Sequence, residues 1–171
     1  MSRIVIIDDA ILDRYLAQSV DERYTLENGT FSKGTAINSK NITHGTLVAK
    51  VLEQYATNYH LTSIQLLSNW FLEKRCEVTK LEIALDFCAE IQCDVVNISL
   101  GTKRLSDFSV LRNALQRLKS KGVLVVAACS NSFHRSIPAA QKDVIGVACD
   151  RFNHVSEGAF DIVDDAYLGI D

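Results

Sequence analysis

Three side chains, far apart in the sequence, have the types that an acyl-transfer site needs: Asp8, His44 and Asn131. A carboxylate that accepts from one imidazole nitrogen holds the ring in one tautomer and stabilises its cation. The other nitrogen can then take a proton from a hydroxyl nucleophile and pass it to a leaving amine. A side-chain amide nearby can donate to the developing oxyanion, which is worth about 2.7–4 kcal/mol in the transition state. In this reading Asp8 is the carboxylate, His44 the base and Asn131 the oxyanion donor. A fourth feature, Ser99-Leu100-Gly101, closes an apolar run with a glycine, where an extended peptide can add as a strand.

These residues meet only if the chain brings their elements to one rim. Ile4-Val5-Ile6-Ile7 is a β-branched run suited to a strand buried on both faces, and it ends at Asp8-Asp9. His44 opens a helix running to about Asn58. Its residues Leu47, Val48, Val51, Leu52 and Tyr55 recur at helical spacing, which predicts one apolar face. Gly45 leaves room for another chain segment or a substrate to approach closely. Between these two elements, Ala10 to Tyr24 carry a weak helical pattern. Glu27 to Ile42 read as loop with room for a small hairpin.

Further along, Thr62 to Leu67 predicts a second strand. Thr79 with Glu82 has the form of a capping box, opening a helix with Leu81, Ala84, Leu85, Cys88 and Ile91 inward. Asp94 to Ser99 is a third strand. Ser106 caps another helix, with Val110, Leu111, Ala114, Leu115 and Leu118 inward and Gly122 closing it. Val123 to Ala128 and Val144 to Ala148 are the fourth and fifth strands. Apolar strands alternating with helices predict an α/β fold, a parallel sheet flanked by helices on both faces. Ligands gather at the carboxyl ends of such strands. Asp8, Ser99 to Gly101 and Asn131 all stand there, and His44 opens a helix on the same rim.

Bulk properties narrow the function classes. A chain of 171 residues, 47% hydrophobic, suits one domain over 1–171 with one substantial core. Net charge is −3 with no basic stripe, so a nucleic-acid partner is not expected. No apolar run approaches membrane-spanning length. Cys76, Cys88, Cys93, Cys129 and Cys149 are odd in number and show no CxxC spacing, which predicts reduced thiols in a cytoplasmic setting. Met1 leads directly into the first strand, so no signal peptide is expected. His60, His134 and His154 lack ligand spacing and read as surface; neither a metal nor a cofactor is expected. Tyr55, Tyr59, Trp70 and Phe71 read as core or groove lining.

Five segments, in order, resemble the subtilisin-like serine proteases. Ile4 to Ile11 resembles the segment bearing the catalytic aspartate, which maps to Asp8; Asp9 and Ala10 stand where the family usually has Ser or Thr and then Gly. Thr43-His44-Gly45-Thr46-Leu47-Val48-Ala49 resembles the catalytic-histidine motif, with Leu47 where a second histidine is common. Asp94 to Gly101 is similar to the substrate-binding strand. Gly122 to Ser132 resembles the segment carrying the oxyanion-hole asparagine, which maps to Asn131, with Ser130 in place of the usual glycine. Ile137-Pro138-Ala139-Ala140 and then Val144 to Asp150 resemble the strand that follows.

The family's nucleophile stands in a Gly-Thr-Ser-Met-Ala type motif at the start of a long helix downstream. No Gly-Thr-Ser triplet occurs in this chain. The resemblance therefore implies a subtilisin-like domain shortened at its C-terminus, before the nucleophile segment. Ser156 is the only serine beyond Pro138 and falls where the family has a surface strand or loop. Ser130 and Ser132 fit turn geometry better than nucleophilic attack, and Cys129 fits the core. Two readings follow: a peptidase, or the Asp/His-bearing part of one, in intracellular peptide processing; or an inactive relative that binds an extended peptide or serves as a partner subunit. Either predicts a peptide or protein substrate or ligand. Either also predicts an apolar face, left by the absent helix, through which the chain self-associates or binds a partner protein. A phosphoreceiver domain also begins with paired acids, but it needs an aspartate after the third strand and a lysine after the fifth; Ser99-Leu100 and Cys149-Asp150 stand there.

Overall fold

The computed structural model describes residues 1–37, 39–67, 76–130, 135–150, 155–156 and 159–161. Seven strands form one sheet in the order β3-β2-β4-β1-β5-β6-β7. They are β1 (Ser2–Asp8), β2 (Glu22–Glu27), β3 (Thr30–Lys33), β4 (Tyr59–Gln65), β5 (Val95–Ile98), β6 (Leu124–Ala128) and β7 (Val144–Val147). All neighbouring strands are parallel except β2 and β3, which form an antiparallel hairpin. Among the described residues three α-helices connect them: α1 (His44–Tyr55), α2 (Val78–Glu90) and α3 (Asp107–Ser120).

The first strand is central, and its side-chain alternation explains the layers. Val5 and Ile7 point into the larger core with Leu81, Leu85 and Cys88 of α2 and Leu111 and Leu118 of α3. Ile4 and Ile6 point the other way, toward Ala49, Val48 and Leu52 of α1. Each successive residue is thus buried on an opposite face, which is why the run is apolar throughout. After β1 the chain crosses to the β2–β3 hairpin on the far side of β4, returns through α1 to β4 beside β1, and then passes through α2 to β5 on the other side of β1. Right-handed crossovers place helices of opposite direction on opposite faces. The reversal falls at β1, so the rim beyond Asp8 is the place where this topology opens a crevice.

Several local expectations need correction. The stretch from Ala10 to Tyr24 holds one turn of 3-10 helix, Asp13–Tyr15, and then the start of β2. The hairpin turns at Asn28-Gly29, both with positive φ (49° and 80°), the backbone that a two-residue hairpin matched to strand twist requires. Glu77, not Thr79, precedes α2, and no side chain caps it; Thr79 and Glu82 lie inside the helix. Ser106 precedes α3 in helical backbone without capping it. There Thr102 Oγ1 donates to Asp107 Oδ2 at 2.7 Å. Helix α1 ends at Tyr55 and buries Gly45, Thr46 and Ala49. Leu47, Val51 and Tyr55 are exposed, so the apolar residues of α1 form two stripes, and Val48 and Leu52 join Ala49 on the core side. Tyr59 is core and Tyr55 is surface; Trp70 and Phe71 lie outside the described residues. His60 is half exposed, its ring 3.4 Å from Asp21; His134 and His154 lie outside the described residues.

Candidate active site

The site is built where β1 ends against the start of α1. Asp8 is fully buried. Its Oδ1 accepts the Asp9 N–H at 2.8 Å, and its Oδ2 lies 2.8 Å from His44 Nδ1. The His44 side chain is one-third exposed, and its Nδ1 is held by the carboxylate. The His44 pKa is raised above the ordinary 6.5, first by the hydrogen bond to Asp8; burial opposes this, and the charges of Asp8 and then Asp9 add to it. With Nδ1 engaged by a buried acceptor, Nε2 is the nitrogen suited to exchange protons with a substrate-side group.

A clamp between two chain segments sets this distance. Thr43 precedes α1 in extended backbone, but its hydroxyl does not cap the helix. It donates instead to the Ala10 carbonyl. Its single proton is then used, so in the Thr43–Thr46 hydroxyl pair Thr46 is the donor. Thr46 Oγ1 accepts the Leu12 N–H at 2.9 Å. The cap comes from outside the helix: Asp9 Oδ1 accepts the Gly45 N–H at 2.7 Å, and Oδ2 the His44 N–H at 3.2 Å. A helix leaves these first N–H groups without intrahelical partners, and a carboxylate also suits the positive end of its dipole. Asp9 is 2% exposed, and its pKa is raised from 3.8, chiefly by burial, against the lowering effect of the Gly45 N–H.

Gly45 is what allows the two segments to touch. A Cβ there would lie 2.9 Å from the Asp9 carbonyl oxygen and 3.2 Å from that of Ala10. The expected close approach at this glycine is therefore by the chain's own segment just after β1. Asp9 is the site residue that sequence reasoning passed over. Its signal was present as an acid standing where the resemblance has a hydroxyl.

The remaining candidates divide. Ser99 extends β5 by donating its N–H to the Ile7 carbonyl at 3.4 Å. Leu100 points into the larger core. Gly101 is exposed, and a Cβ there would lie 3.1 Å from the Ile137 carbonyl oxygen. Thr102 and Ile137 exchange both backbone hydrogen bonds at 2.8 Å, so the chain itself fills the edge just past the glycine. Among the described residues the backbone N–H of Gly101 enters no hydrogen bond. Asn131 and Ser132 lie outside the described residues. Ser130 donates its N–H to Ser136 Oγ at 2.9 Å. Ser156 is exposed, and its carbonyl accepts the Ala159 N–H at 2.9 Å. Among the described residues no three or more His, Cys, Asp or Glu side chains form a group that could hold a metal ion. No described helix is long and apolar enough to cross a membrane.

Comparisons with known proteins agree with this architecture. No curated protein matches the sequence significantly. Among solved structures, a lanthipeptide protease superposes with TM-score 0.69 at 18% identity, over 85% of this chain and 47% of its own. Sphericase gives 0.65 at 22% identity, over 85% and 53%. The nisin leader peptidase NisP from Lactococcus lactis gives 0.61 at 19% identity, over 85% and 55%. This chain spans about half the length of the solved structures it matches. At these identities the likeness shows the fold, a subtilisin-like α/β sheet. The family model described as "Subtilase family" matches residues 3–156, nearly the whole chain, and the chain belongs to that family.

Proposed function

We propose that this chain is the acid- and base-bearing part of a subtilisin-type serine peptidase that processes peptides in the cytoplasm. The observation that carries the reading is the 2.8 Å contact between His44 Nδ1 and a wholly buried Asp8 carboxylate. A carboxylate taken fully out of water is costly unless it is paired and hydrogen bonded. Here its acceptors go to one ring and one N–H, the arrangement that fixes an imidazole for proton transfer. Asp8 orients and stabilises His44, His44 moves the proton, and Asn131 donates to the oxyanion. Ser99-Leu100-Gly101 receives the substrate as an added strand through the Gly101 N–H.

The nucleophilic hydroxyl comes from a segment outside these 171 residues. Two observations support that assignment: no Gly-Thr-Ser triplet exists in the chain, and an apolar surface lies open on one sheet face. Val125, Ala127 and Val144 point into the larger core, so by strand alternation Leu124, Ile145 and Val147 point to the opposite face, the side of α1. All three are about half exposed. Processing of a leader peptide fits one of these neighbours, the nisin leader peptidase, which carries that activity in its name. A fluorophosphonate probe tests the reading. With a polypeptide that bears a Gly-Thr-Ser segment, one serine should be labelled, and His44→Ala should abolish the label. Absence of labelling in every combination, with peptide binding retained, favours the second reading: an inactive peptide-binding relative.

A further inference from the structure

We propose that Asp9 is a positioning residue that seats His44 on Asp8 and supplies a second negative charge beside the imidazole. The proposal rests on the reading of Asp8 and His44 as an acid–imidazole pair, and it adds a residue that the pair alone does not require. Its two carboxylate oxygens take the two consecutive N–H groups that open α1, those of His44 and Gly45. The first of these belongs to the histidine itself. The backbone that carries the ring is therefore fixed by Asp9, while the ring is fixed by Asp8 one residue earlier.

Geometry shows that the contact is specific. The helix start can reach Asp9 only because residue 45 has no Cβ, and the same loop is gripped again through Thr43 on Ala10 and Thr46 on Leu12. A hydroxyl at position 9 could accept one N–H comfortably; a carboxylate accepts both and adds charge. The charged groups acting on Asp9 are Asp8 on its own strand end and His44 on α1. Burial and the Asp8 charge push its pKa above the ordinary 3.8, so the second charge is present only above that raised value. As pH falls through it, one oxygen becomes a hydroxyl, the helix start loses an ionic acceptor, and His44 loses part of what raises its own pKa. The pair thus has an acidic limit set by two groups.

NMR on the intact chain tests this without any need for activity. In the unsubstituted chain the Gly45 amide proton should titrate with a midpoint above 3.8. Asp9→Asn should remove that titration and move the His44 imidazole midpoint to lower pH. Asp9→Ser, which keeps one cap and no charge, should move the imidazole midpoint in the same direction. Asp8→Asn should lower the imidazole midpoint and leave the Gly45 titration in place. If Asp8→Asn moves His44 while both Asp9 variants leave it where it was, Asp9 is a cap only and the proposal fails while the pair stands. If none of the three moves it, both fail. Should the Asp9 variants not fold, a Gly45 amide that stays flat across the acid range in the unsubstituted chain overturns the proposal by itself.

Discussion

His44 and Asp8 make a thermodynamic prediction as well as a chemical one. A histidine whose folded pKa lies above its unfolded value binds its proton more tightly in the native state. Its contribution to stability is full below about 6.5 and is lost as pH rises through the raised folded value. Thermal midpoints should therefore decline upward from about pH 6.5 in the unsubstituted chain, and that part of the decline should vanish in His44→Gln. In catalysis the sign is opposite: the neutral imidazole is the base, so activity should rise over the same interval. With the nucleophile-bearing partner present, His44→Ala should lower kcat/KM by about 10²–10⁴-fold, the usual worth of a positioned general base. Asn131→Ala should lower kcat by about 10²–10³-fold with little change in KM, because an oxyanion donor acts on charge that develops only in the transition state. Steady-state kinetics on a leader-type peptide checks both.

The junction of β1 with α1 is the element on which the site depends, and Gly45 is its weakest point. Alanine is favoured over glycine inside helices by about 1 kcal/mol. At position 45 the added methyl meets two backbone carbonyls, which cannot rotate away, and overpacking of that kind typically costs about 1–3 kcal/mol. Gly45→Ala should thus destabilise the chain in urea despite the better propensity, and should lengthen the contact between His44 and Asp8. Much of this frame was legible in the residues. The Ile4–Ile7 run, the His44 helix start and the strand ending at Ser99 all lie where their patterns place them, because burial on two faces leaves little choice of residue. The misses have physical reasons. Asn28-Gly29 is a strong hairpin signal, but the loop-like composition around it hid the strand that begins at Glu22. Thr79 lies inside α2, whose start Glu77 takes, and Ser106 stands at the start of α3 but in helical backbone, without a side-chain cap. Leu47, Val51 and Tyr55 have helical spacing, but they follow the stripe that α1 turns away from the sheet. Asp9 escaped because an acid beside an acid reads as solvated until a second segment is seen to cap on it.

At the scale of the molecule, the two faces of the sheet differ. One is sealed by α2 and α3 and, beside them, by Tyr24 and Phe31 of the hairpin packed on Phe87 at 4.7 and 4.4 Å between ring centres. The other is covered by α1 over β1 and β4 but leaves Leu124, Ile145 and Val147 about half exposed. Apolar side chains grouped on one sheet face mark a surface meant to be covered. Sedimentation should find the chain associated, with itself when alone or with the nucleophile-bearing polypeptide when that is present. Ile145→Lys combined with Val147→Lys should give a folded monomer in both cases. A strictly monomeric unsubstituted chain under both conditions would count against the assembly.

The claim beneath all of this is that the Asp8 carboxylate holds the His44 ring. Proton NMR reads it directly, through the Nδ1–H resonance of His44 at acid pH, where the imidazolium is formed. A strongly low-field, slowly exchanging signal that disappears in Asp8→Ala is the predicted result. An Nδ1–H at its ordinary position, unchanged when Asp8 is removed, would contradict it.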